Sequence, residues 1–142
     1  MAIVQAVCNS FKQQILEGVH NLATGGNTFK LSLYSSAANL SAATTVYTST
    51  NEVGPTGQYT YGGGILTGQQ TSLDTGVAIV DFADLSFTGV SLTAAGALIY
   101  NTSASNKAVC ALSFGGDKTA TAGTFTIVFP AFTSANAILR IS

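Results

Sequence analysis

The chain of 142 residues has no tryptophan, one histidine, one methionine, two cysteines and two prolines, and only 8% of its residues are charged. Each scarcity excludes something. An ordinary soluble domain is roughly a quarter charged; here Lys12, Lys30, Lys107, Lys118 and Arg140 are scattered singly, so no basic stripe follows a nucleic-acid backbone. A single histidine, His20, and the absence of a G-x-S-x-G elbow leave a hydrolytic triad without its parts. Cys8 and Cys110 sit in "AVCNS" and "AVCAL" with no C-x-x-C spacing, which marks them as buried reduced thiols and not as a disulfide or metal site. No apolar run approaches the roughly 20 residues that span a bilayer. The opening residues "MAIVQAVCNSFKQQILEGVH" carry no basic region ahead of their apolar residues, so no secretory leader is expected and the chain is expected to fold in the cytoplasm where it is made.

What the chain has is small and apolar. Hydrophobic residues make up 46% and there are 15 glycines, with a mean hydropathy of +0.39. A net charge of -1 gives a lone monomer weak colloidal protection. Such a surface suits a protein covered by neighbours, and a homo-oligomer, dimer or trimer, is expected. The length is that of one domain with its own core, residues 1–142, needing neither metal nor disulfide.

Periodicity divides the chain in two. Over residues 2–22, Ile3, Val7, Phe11 and Ile15 recur at helical spacing with Gln5, Lys12 and Glu17 between them, which predicts one amphipathic α-helix ending at the glycines of "ATGGN". From residue 28 the period is two: "TFKLSLYSS" alternates Phe29, Leu31 and Leu33 against polar neighbours, a half-buried strand. Strand-like runs follow at short intervals: "TVYTST", "QYTYGGGILTG", "QQTSLD", "GVAIVDFADLSFTG", "VSLTAAGALIYNTS", "KAVCALSFGG", "GTFTIVFP" and "AILRIS". "NTSASNK" and "GGDKTATAG" are predicted to be hairpin connections. The fold class expected is mostly β: an antiparallel β-sandwich over residues 28–142, jelly-roll or immunoglobulin-like, with one N-terminal helix.

The candidate chemistry is thin. Gly57 to Gly62 opens a phosphate-loop frame, but Gly63 and Gly64 stand where lysine and a hydroxyl belong, and Gly68 falls one residue late for a dinucleotide fingerprint. The glycines of "QYTYGGGILTG" instead predict a bent strand or a place where another backbone comes close, with Tyr59 and Tyr61 on one face. Glu17 and His20 are a lone i, i+3 pair, and His20 is expected on the surface or at a subunit contact near the helix end. Asp74, Asp81, Asp84 and Asp117 match no calcium-loop spacing and are expected to cap turns. Tyr59, Tyr61 and Tyr100 either pack on strand faces or form an aromatic platform for a sugar.

The segments "MAIVQAVCNSFKQQILEGVHNLATGGNTFKLSLYSS", "TSTNEV", "YTYGGGILTG", "VDFADLSF", "AGALIYN", "FTIVFP" and "AILRI" are together similar to a family of small virion proteins of tailed bacteriophages. The likeness covers nearly the whole chain and rests on overall pattern, not on a catalytic signature. It implies a structural, non-enzymatic subunit assembled in many copies in the bacterial cytoplasm, without cofactor or metal. The role expected is a capsid decoration or cement protein on the virion surface, bound to the major capsid protein and to copies of itself. The alternative is a tail or tail-fibre component that binds a host glycan or other virion proteins; a glycan hydrolase using Asp81 and Asp84 comes third. Neither nucleic acid nor membrane is an expected partner. The candidate interface residues are Ile3, Val7, Phe11, Ile15, Tyr59 and Tyr61.

Overall fold

In the computed structural model, which describes residues 2–142, two antiparallel sheets and one short helix enclose a shared core. The strands are β1 (Ala6–Val7), β2 (Phe29–Tyr34), β3 (Gly64–Ile65), β4 (Gln70–Asp74), β5 (Val77–Asp81), β6 (Leu85–Asn101), β7 (Lys107–Ile127) and β8 (Leu139–Ile141), with α1 at Asn9–Leu16. The larger sheet has the order β1-β7-β6-β2-β3 and the smaller β4-β5-β8. Thus the chain is mostly β, as its periodicity predicts, and the strand order left open by the sequence is settled.

One long hairpin is the spine. β6 (17 residues) and β7 (21 residues) pair from Leu85↔Ile127 to Asn101↔Lys107. "NTSASNK" turns the chain as expected: the Asn101 side chain accepts from the Ser103 N–H, and Ser105 and Asn106 take positive φ. "GGDKTATAG" does not. It continues β7, and its special backbone angles, Gly115 φ 76°, Gly116 φ 144° and Ala122 φ 47°, accompany register shifts against β6. Residues that permit a reversal also permit a bulge, and a bulge lets a long strand curl without leaving its partner.

The predicted helix over 2–22 is also shorter than its periodicity. Ala6 and Val7 pair with Ala111 and Cys110 of β7, and the Val4 N–H donates to the Leu40 carbonyl at 2.8 Å. The free edge of β7 offers those residues ladder bonds, which outweigh helical spacing. At the other end Gly18, at φ 75°, supplies the left-handed residue that stops α1.

Apolar packing joins the layers. Phe82, just after β5, lies 5.9 Å from Phe29 of β2 and 6.2 Å from Phe129, ring to ring, and Val80 and Leu139 of the small sheet belong to the same core as Leu31, Leu33 and Ile99. This is a sandwich-like arrangement. β2 is buried on both faces and not on one, because residues 35–63, which hold only isolated bridges before the turn at "YGGG", cover its second face. "TVYTST" is therefore a cover held by a bridge from Val46 to Lys107, not a strand.

Candidate assembly surface

α1 and the face of the small sheet leave a groove of about 590 Å³ between them. Val7, Phe11 and Ile15 line one wall, and Val80, Leu139 and Ile141 the other. The register explains the sheet wall: Val80 pairs with Leu139, so both side chains share a face, and Ala78 pairs with both Leu73 and Ile141, which extends that face outward. At the rim the apolar groups reach solvent: Leu16 is 89% exposed and Ile141 58%, and Leu73, farther along the same sheet face, is 72% exposed. No carboxylate lines the groove; its charged residues are Lys12 and Arg140. A larger, more polar cleft of about 810 Å³ lies beyond Arg140, whose guanidinium donates to the Ser134 and Ala135 carbonyls.

Of the six interface residues named from sequence, Val7, Phe11 and Ile15 are brought together here. Ile3 is not. It bridges to Leu40 and packs beside Gly96, where a Cβ would lie 2.7 Å from its Cγ2. Tyr59 and Tyr61 do not share a face either: both are in a turn region, Tyr59 buried and Tyr61 exposed. With Tyr100 also buried, the proposed sugar platform loses two of its three rings. The groove residues that sequence reasoning missed, Ala78 and Ile141, become neighbours only through the strand register.

The buried tyrosines serve another purpose. Glu52, itself buried, accepts from Tyr47 at 2.5 Å, from Tyr59 at 2.6 Å and from the Gly62 N–H at 2.8 Å. Tyr59 also accepts from the Leu33 N–H at 2.7 Å, and Tyr100 donates to the Gly62 carbonyl at 2.5 Å while stacking on Tyr47. Among the described residues no cation bonds this carboxylate, and three donors surround it instead. Burial, followed by the nearby Glu52 charge, pushes the Tyr100 phenol up to about 12; burial first also pushes Tyr34 up to about 12 and raises Tyr47 and Tyr59. The cluster fastens residues 52–62 over β2.

The glycine run is explained by the same fastening. Gly63, at φ 79°, passes so near β2 that a Cβ there would lie 1.8 Å from the Leu31 carbonyl oxygen. Backbone approach, one of the two expectations from sequence, is what the structure shows, and only Gly64 and Ile65 form a strand.

Two of the four aspartates cap backbone, Asp74 accepting from the Ser134 N–H at 2.6 Å and Asp84 from the Phe129 N–H at 2.9 Å. Asp81, by contrast, closes β5 opposite Gln70 with its Oδ1 buried and unpartnered among the described residues, and Asp117 lies exposed within β7 and not in a turn. Among the described residues, no group of three or more His, Cys, Asp or Glu is placed to hold a metal ion. Cys8 and Cys110 are buried free thiols, and burial pushes them up to about 11 and about 12, away from the reactive thiolate. His20 contradicts its expectation: it lies beyond α1, is 5% exposed, and bonds Gln14 and Asn101. Once the helix stops at Leu16, the chain turns inward and carries the ring between Phe11 and Phe29. Among the described residues no helix is long and apolar enough to cross a membrane. No family model matches the chain, and comparison with curated proteins and with solved structures returned no match.

Proposed function

We propose that this chain is a structural subunit of a tailed-bacteriophage virion, a capsid decoration or cement protein that bridges major capsid proteins. The observation that carries this reading is the apolar groove between α1 and the small sheet, with Leu16 and Ile141 open at its rim and Leu73 exposed on the same sheet face, in a chain that is only 8% charged. Each square ångström of apolar surface removed from water stabilises by about 25 cal/mol, and a contact repeated over a shell multiplies a modest local gain. The bound subunit acts mechanically. Pulling capsomers apart would expose these faces again, and the Glu52 cluster and the long β6–β7 hairpin keep the subunit stiff under that load. Its partners are then the major capsid protein and copies of itself, on the outer surface of a shell assembled in the bacterial cytoplasm.

The direct test is co-sedimentation of purified subunit with phage capsid shells that lack it. The wild-type chain is expected to pellet with the shells, and a Leu16→Asp, Ile141→Asp double variant is expected to stay in the supernatant at unchanged melting temperature. Equal pelleting of the two would remove the groove from the contact, and failure of the wild type to pellet would remove the capsid role.

A further inference from the structure

His20 is the one buried imidazole, and its two nitrogens are both engaged. Nε2 lies 2.8 Å from Gln14 Oε1 and Nδ1 lies 3.0 Å from Asn101 Nδ2. The orientation of the Asn101 amide is fixed independently, because its oxygen accepts from the Ser103 N–H at 2.9 Å and its nitrogen donates to Asn27 Oδ1 at 3.0 Å. Nδ1 therefore accepts, and the ring's proton sits on Nε2 and is donated to Gln14. Asn27 Oδ1 also accepts from the Asn21 N–H at 2.8 Å. One neutral ring thus joins three pieces of chain: α1 through Gln14, residues 20–28 through the asparagines, and the tip of the β6–β7 hairpin through Asn101.

We propose that His20 is an acid-sensitive latch: when the ring gains a proton, α1 and residues 17–28 come away from the hairpin tip while the β6–β7 sheet stays folded. A proton on Nδ1 sets a donor against the Asn101 amide donor and leaves a buried cation short of an acceptor, which the attraction of the Phe11 face 4.8 Å away offsets only in part. The charged group acting on the ring from β7 is Lys107, which opposes that cation. The other nearby elements bring no relief. On α1, Lys12 is turned to Asn9 and is exposed; Glu17, at its end, is exposed and held by Gln13; Lys30 of β2 lies beside Gly62 on the sheet's other face. Burial, and after it Lys107, holds the ring below its ordinary value of 6.5. The sign follows: the ring's contribution is complete above pH 6.5 and is lost as pH falls through the lowered folded value.

Separation is local because the two parts are held differently. α1 and the segment after it are held by Phe11, Leu22, the amide network and a few separate bonds, between Ala23 or Thr24 and Gln69 and between Thr28 and Thr102 or Ser103. The hairpin is held by its own continuous ladder. Since Phe11 and Ile15 form a wall of the apolar groove, opening the latch also dismantles that surface.

The test is amide hydrogen exchange from pH 7.5 to pH 4.5, corrected for intrinsic rates, with the ring titration followed by NMR on the same wild-type protein. Protection over residues 9–28 is expected to fall by at most about tenfold per pH unit between the ring's ordinary value and its lowered folded value and to level off below it, while residues 97–111 keep theirs, and His20→Gln is expected to show no acid-dependent step in 9–28. Flat protection over 9–28, an equal acid step in His20→Gln, or loss over 9–28 and 97–111 together would overturn the latch. If His20→Gln does not fold, the wild type still decides: ring protonation coincident with loss over 9–28 alone supports the latch, and protonation without that loss overturns it.

Discussion

Tyr59 donates its phenolic proton to the buried carboxylate of Glu52 at 2.6 Å and accepts the Leu33 N–H at 2.7 Å, so one oxygen ties the 52–62 segment to the middle of β2. Tyr59→Phe leaves the Leu33 N–H without that partner and removes one of three donors from Glu52. It is expected to cost about 1–3 kcal/mol in urea denaturation. Glu52→Ala strands two phenols and the Gly62 N–H and should cost about 3 kcal/mol or more. A Glu52→Ala variant as stable as wild type would show that the cluster does not hold the cover in place.

The same cluster sets an alkaline limit. The unfolded phenol ionises near 10, whereas Tyr34 and Tyr100 are pushed up to about 12 by burial. A raised folded value means stability that is complete below pH 10 and is lost as pH rises through 12. Melting temperature should therefore fall across that window, and phenolate absorbance from the buried rings should appear together with unfolding. Full phenolate absorbance at pH 11 in a chain with native circular dichroism would contradict the burial of these rings.

Much of this was legible in the sequence, but unevenly. The hairpin turn at "NTSASNK", the two-sheet β body and the strands at Gln70–Asp74 and Leu139–Ile141 follow from local period and turn chemistry. The bulges of β7 were not separable from a turn, since Gly115, Gly116 and Ala122 suit either. The helix was overextended because Ile3 and Val7 satisfy helical spacing and strand pairing alike, and only the unpaired edge of β7 decides. Glu52 gave no local signal at all. Its role depends on Tyr47, Tyr59 and Gly62 meeting around it, a three-dimensional coincidence; likewise the groove needs the cross-strand pairing of Ala78 with Ile141 and of Val80 with Leu139.

Two glycines separate close approach from backbone angle. Gly63→Ala drives a Cβ into the Leu31 carbonyl and should cost more than about 3 kcal/mol. Gly76 has a similar φ, +83°, with nothing within 4 Å, so Gly76→Ala should cost only about 1–2 kcal/mol. Equal losses in the two variants would show that contact with β2 contributes nothing at Gly63.

Deletion of residues 1–22 tests whether the N-terminal region is an independent arm. It removes Cys8, Phe11 and Leu22 from the core and β1 from the edge of β7. The truncated chain is expected to melt well below the wild-type temperature, with the β6–β7 ladder retained. A truncated chain that melts cooperatively near the wild-type temperature would make α1 an appendage.

The proposed capsid role is tested most directly by cryo-electron microscopy of virions purified from the source of this chain. The account predicts density fitting the subunit at every equivalent position of the capsid lattice, with the α1 and small-sheet face against a neighbouring subunit. Density confined to the tail or its fibres, with the capsid bare, would contradict it.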